Sequence, residues 1–140
     1  MCLITTKRKS RVAKRDIKVW KVETLNGKSP MQRFKYTKGR LEETEFGFKF
    51  KNGRRWSVYG KTPIKYLNAN HVGWDMRDSD ARNGLICIAE GFHAFTKKKF
   101  AVKDIGNSVY LNVKPYLIPK GAEYYKDAVG MIVSNKIIKL

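Results

Sequence analysis

Acid is what this sequence most lacks: 12 Asp and Glu stand against 30 Lys and Arg, a formal net charge of +18. A chain so unbalanced repels itself when compact and attracts polyanions through solution, which predicts a negatively charged working partner. Cysteine is scarce as well. Cys2 and Cys87 lie far apart with no C-x-x-C spacing, which argues against a disulfide framework and a cysteine-based zinc site and suits a reducing compartment. No apolar run approaches the roughly 20 residues that cross a bilayer, and Met1-Cys2-Leu3-Ile4 is too short for a signal-peptide core. The expected location is therefore cytoplasmic, with no membrane partner. The glycines follow neither a G-x-G-x-x-G nor a G-x-x-x-x-G-K pattern, so no dinucleotide or P-loop fingerprint is present and no cofactor is expected. Asp75, Asp78 and Asp80 share a loop, but Arg82 falls where a calcium loop needs a ligand, and no metal is expected.

What is present suffices for one folded domain. Hydrophobic residues make up 42% of the 140 and aromatics 12%, above the range of disordered chains. Residues 1–60 hold 17 basic and 5 acidic side chains, whereas residues 61–140 hold 13 and 7, so the N-terminal part is the expected contact surface. The reading is a basic N-terminal arm over residues 1–16 followed by a single mainly β domain over 17–140. Within the arm, residues 7–15 carry six positive charges and no acid.

Period-2 alternation predicts most of the structure. Ile17 to Glu23 reads as a strand, broken by Asn26-Gly27 and Ser29-Pro30, and Met31 to Tyr36 as another extended stretch. Phe46 to Tyr59 reads as a hairpin. A three-residue loop, Lys51-Asn52-Gly53 with Gly53 left-handed, would pair Phe48 with Trp56 and Phe46 with Val58, keeping both apolar sets on one face. That register sets Lys49 opposite Arg55, with Lys51 and Arg54 at the tip, and facing like charges cost stability unless a partner neutralises them. Residues 63–70 suggest a short helix after Thr62-Pro63, and residues 71–84 a loop. Leu85 to Ala89 is a continuous apolar run expected in a central strand. Thr96 to Gly106 suggests a helix capped by Thr96, with Lys97, Lys98 and Lys99 at its positive dipole end. Ser108 to Val113 alternates, Pro115 and Pro119 exclude a central ladder position beyond it, and Ala122–Tyr125 and Gly130–Leu140 supply two or three more strands, the last split near Ser134-Asn135. The fold class expected is α+β, mainly β, with six to eight short, mostly antiparallel strands and one or two short helices.

Several segments together resemble a group of small uncharacterised proteins of phages and the bacteria they infect. They are Met1-Cys2-Leu3, Ala13–Asp16 leading into Ile17–Lys21, Tyr36 with Gly39, Glu90-Gly91-Phe92-His93-Ala94-Phe95, Ile118–Tyr125 and Ile132–Ile137. The resemblance implies a phage-type accessory protein and carries no assigned activity with it.

Three functional readings follow. The first is a non-enzymatic accessory protein binding nucleic acid, or a host complex that handles nucleic acid, through Lys7, Arg8, Lys9, Arg11, Lys14, Arg15, Lys49, Lys51, Arg54 and Arg55. Basic residues interleave with aromatics at Arg33-Phe34-Lys35-Tyr36, Phe48–Lys51, Arg54-Arg55-Trp56 and Lys98-Lys99-Phe100, the two components that single-strand-binding surfaces combine, although alternation turns many of these rings inward as core. The second is a counter-defence protein sequestering a small anionic nucleotide in a pocket near Glu90, Phe92, His93 and Glu123. The third is an ADP-ribosyl-transfer-type enzyme: Glu123 in Gly-Ala-Glu-Tyr-Tyr, with the Val19-Trp20-Lys21 strand, is similar to the layout of that family but lacks its early Arg or His. No nucleophile accompanies Glu90 and His93, so no catalytic residue is assigned. The oligomeric state is left open.

Overall fold

The alternation that begins at Ile17 runs on to Thr24 and makes the strand around which the larger sheet is built. The structure, a computed structural model, describes residues 3–5, 10–30, 34–52, 55–60 and 86–140, and for 4–5, 49–52, 55–60, 86 and 89 the backbone. The strands are β1 (Leu3–Thr5), β2 (Arg11–Val12), β3 (Ile17–Thr24), β4 (Leu41–Glu43), β5 (Gly47–Asn52), β6 (Arg55–Gly60), β7 (Ile86–Glu90), β8 (Phe92–Phe95), β9 (Leu111–Ile118), β10 (Glu123–Lys126), β11 (Met131–Ser134) and β12 (Lys136–Lys139). One helix, α1 (Lys98–Ile105), completes the described elements. The mainly β class agrees with the sequence reading, and the strand count is higher because β1, β2 and β4 are strands of two or three residues, too short for a period-2 pattern to mark.

An eight-stranded antiparallel sheet runs in the order β2-β10-β11-β8-β3-β9-β12-β4. In that order β11 and β12 lie on opposite sides of the β8-β3-β9 group, yet Asn135 alone separates them in the chain. One bent strand therefore pairs with β8 through its first half and with β9 through its second. The sheet must curl into a ring to allow this. Ser134 Oγ, donating to the Lys136 carbonyl at 2.8 Å, ties the bend together. The ring's walls send one cluster inward: Val19, Ala94, Tyr116, Ile118, Ile132 and Ile137, closed off by Ala13, Tyr36 and Ala122.

A second sheet, in the order β1-β7-β5-β6, packs on the outside. The apolar run at Ile86–Ala89 is central in it, between β1 and β5, as its composition predicts. β7 passes into β8 at Gly91, so the two sheets share a corner whose φ of 141° suits glycine. A Cβ there would lie 2.5 Å from Val133 Cγ1. Phe46 and Phe48 meet Tyr125 edge-on across the sheets, at ring centroids 5.1 and 6.1 Å.

Three expectations need correction. First, the hairpin has Asn52 opposite Arg55 and Lys51 opposite Trp56, so the connection is the two residues Gly53 and Arg54, not the three-residue loop. An irregularity follows, where Lys49 faces Val58 but Phe48 faces Gly60. This extra residue resets the alternation, which a period-2 pattern cannot anticipate. Lys49 therefore does not face Arg55, and the predicted like-charge pair is absent from that ladder. Second, β9 continues through Pro115 with neighbours on both sides. The Pro115 carbonyl accepts from Leu140 N–H, which places the proline nitrogen on the β12 side, where the ladder ends. Third, α1 begins at Lys98 with no side-chain cap, because the Thr96 hydroxyl donates to the Gly130 carbonyl instead. Gly106 does end the helix, at φ 56°. The helix suggested at 63–70, the 71–84 loop and the left-handed Gly53 lie outside the described residues.

Candidate functional site

The most unusual chemistry in the ring follows from the parity of β3. Val19, Lys21 and Glu23 share its inner face, so the alternation that buries Val19 also buries two charges: Lys21 is 7% exposed and Glu23 2%. Lys21 Nζ donates to the His93 carbonyl at 2.6 Å and lies over the rings of Tyr36 and Tyr116, 5.4 and 5.9 Å from their centroids. Tyr116 donates its hydroxyl hydrogen to Glu23 Oε1, and Lys139 Nζ stands 2.9 Å from the same oxygen. Burial pulls the Lys21 amine down to about 8, against the pull of Glu23, which favours its charged form. It drives the Tyr116 phenol well above its ordinary value, helped by its hydrogen bond to Glu23.

Lys21 has a stability consequence. Unfolded, the amine titrates near its ordinary 10.5; folded, it titrates near 8. Between these values the unfolded chain holds a proton that the folded chain does not, so stability rises with pH, by about 1.4 kcal/mol per unit from this group. Urea midpoints from pH 7 to 9.5 are expected to climb, and Lys21→Met to flatten the climb. A variant as steep as the parent would remove the assignment. Tyr36 and Tyr125, pushed up to about 12 by burial, oppose the trend only above pH 10.

The four residues read as a possible pocket take separate parts. Phe92 packs on the ring's core cluster. His93 Nε2 lies 2.9 Å from the Ile88 carbonyl and Nδ1 3.1 Å from that of Gly91, so the imidazole pins the corner between the sheets. Burial lowers its pKa, against the two backbone carbonyls, which favour the charged ring. Glu90 and Glu123 are exposed, on β7 and β10. With both ring nitrogens turned to backbone carbonyls, His93 is not set up as a base oriented by Glu90.

Of the basic residues assigned to contact, Arg11, Lys14 and Arg15 are described, and all are exposed. They are held along the edge of the large sheet: β2 pairs with β10, Ala13 N–H donates to the Ala122 carbonyl and Gly121 N–H to that of Ala13, each at 2.8 Å. The same zip brings in Lys120, which sequence reasoning missed because a hundred residues of chain intervene; its N–H donates to Asp16 Oδ1 at 2.8 Å. Asp16 and Glu123 are the acids of this edge, and neither forms an ion pair with the four cations. Ion pairs among the described side chains join Arg40 to Glu42, Lys136 to Glu43 and Lys139 to Glu23. Lys49, Lys51 and Arg55 are placed by backbone in β5 and β6; Lys7, Arg8, Lys9 and Arg54 lie outside the described residues, as do Asp75, Asp78 and Asp80. No group of His, Cys, Asp and Glu suited to a metal occurs among the described residues.

A second cationic feature covers one end of the ring. After the turn at Thr24–Lys28, Lys28 bridges Lys35 in antiparallel fashion. Ser29 N–H donates to the Phe34 carbonyl at 2.8 Å, and Phe34 N–H to Ser29 Oγ at 3.0 Å. Tyr36 goes inward and Phe34 stays 43% exposed, their rings edge-on with centroids 4.8 Å apart. The Arg33–Tyr36 stretch thus divides into one core ring and one surface ring. Comparison with known proteins returned no matching family model, no matching curated protein and no matching solved structure.

Proposed function

We propose that the chain is a non-enzymatic accessory protein of phage type that binds nucleic acid through its cationic surface. The observation that carries this reading is the edge that holds Arg11, Lys14, Arg15 and Lys120, four exposed cations whose backbone is pinned by the β2–β10 pairing and its flanking hydrogen bonds, with no ion pair to a described acid. Surface lysines scattered singly are solvated and need no partner. Cations drawn together by a backbone zip concentrate potential, and a phosphate backbone answers it by releasing its condensed counterions.

The test is anisotropy titration of labelled single-stranded and duplex oligonucleotides between 50 and 200 mM salt. Each phosphate contact adds about 0.7 to 0.9 to the slope of log affinity against log salt. Replacing the four cations with Gln is expected to lower the slope by about 3 and the affinity by roughly a hundredfold at 100 mM salt. Absence of binding to either oligonucleotide at 50 mM salt removes the reading and turns attention to a host protein; a slope unchanged in the variant removes the edge as the contact.

A further inference from the structure

We propose that the strap formed by residues 28–30 and 34–40 is a stacking platform for an unpaired base, which makes single-stranded nucleic acid the preferred ligand. The inference rests on the nucleic-acid reading above and adds the strand form and a second contact.

Two independent observations meet at the strap. The first is the surface ring. Phe34 is the one exposed phenylalanine among the described residues, and it is not loosely held: both its backbone polar groups bond to Ser29, and Tyr36 supports its ring edge-on. Phe34 and Tyr36, two residues apart, share one side of the strap: Tyr36 fills the end of the core, and Phe34 is left at the rim beside it, 43% exposed. A fixed, partly supported aromatic face is what a base stacks on without ordering cost.

The second is the facing of like charges. The Lys28–Lys35 bridge sets two exposed lysines directly opposite each other, with Lys38 a few residues on, where a second bridge joins it to Lys139. None of Lys28, Lys35 and Lys38 pairs with a described acid. Directly opposed cations destabilise a strand pair until an anion lies between them. Alternation puts Phe34 on the other side of the strap from Lys35, so a strand crossing the rim would lay its base on the ring and its phosphates along the lysines. A duplex keeps its bases stacked on each other and has none to offer.

The experiment compares Phe34→Leu and Phe34→Trp with the parent on a single-stranded oligonucleotide and on a duplex of the same length. Leucine keeps apolar bulk against Tyr36 and removes the planar face. It is expected to weaken single-strand binding roughly tenfold, with duplex binding and salt slope unchanged, while tryptophan keeps or improves the affinity. Lys28→Gln with Lys35→Gln is expected to lower the single-strand salt slope by about 1 to 2. Equal losses on both ligands, or no loss with leucine, overturn the inference while leaving the nucleic-acid reading in place. If the parent binds neither ligand, it is that reading which fails. Should the leucine variant lose its fold, the tryptophan and lysine variants still decide, since a merely structural ring predicts no strand-form selectivity in either.

Discussion

Replacing Glu23 with Ala is expected to cost about 3 to 5 kcal/mol, the range for a buried ion pair that loses one partner. The carboxylate accepts from Tyr116 and is paired with Lys139, all within a ring where Glu23 is 2% exposed. Its removal strands a phenol and an ammonium in low dielectric and leaves Lys21 with no nearby negative charge. The cost belongs to the stranded groups more than to the pair itself. The double variant Glu23→Ala with Lys139→Met is therefore expected to be less destabilised than Glu23→Ala alone. Urea midpoints of the two variants measure this, and simple additivity would sink the account.

Gly130→Ala is the second large effect expected, about 2 to 4 kcal/mol. Gly130 is buried with φ 101°, a conformation that strains any L side chain, and its carbonyl accepts from both the Thr96 N–H and the Thr96 hydroxyl, so the backbone cannot rotate away. A Cβ would stand 2.3 and 2.6 Å from two carbons of the Phe100 ring, which would have to move and shift α1 from the sheet. Phe100→Ala in the same chain removes the clash and leaves the strain. A variant that recovers nothing when Phe100 is truncated would show that the clash is not the cause.

How far the sequence foretold this depends on the element. β3, the central β7 and the split at Asn135 follow from local signals: alternation, a short apolar run, and a polar break between two apolar dipeptides. The hairpin register does not, because an extra residue resets a period that contains no mark of it. Nor does the ring. That the two halves of one bent strand find different neighbours is a long-range fact, and no local pattern records it. The candidate sites divide the same way. Arg11, Lys14 and Arg15 stand out as a charge run, whereas Lys120 joins them only through the β2–β10 pairing. Lys21 and Glu23 were legible: they share parity with Val19, and reading the inner face of β3 by position alone would have found the buried charges.

The ring also sets how the chain must fold. β3 is held chiefly by β9, in a ladder joining residues 17–24 to residues 111–118, and neither the corner at Gly91 nor the bend at Asn135 brings those segments together. Loop-closure entropy is lost before that ladder returns anything, so folding belongs with the slow, non-local class, in milliseconds to seconds. The ladder also sets Lys21 opposite Lys114, so closure works against like-charge repulsion in a chain of +18. Salt weakens that repulsion, so raising the ionic strength should hasten folding, the opposite of its effect on the nucleic-acid binding proposed above.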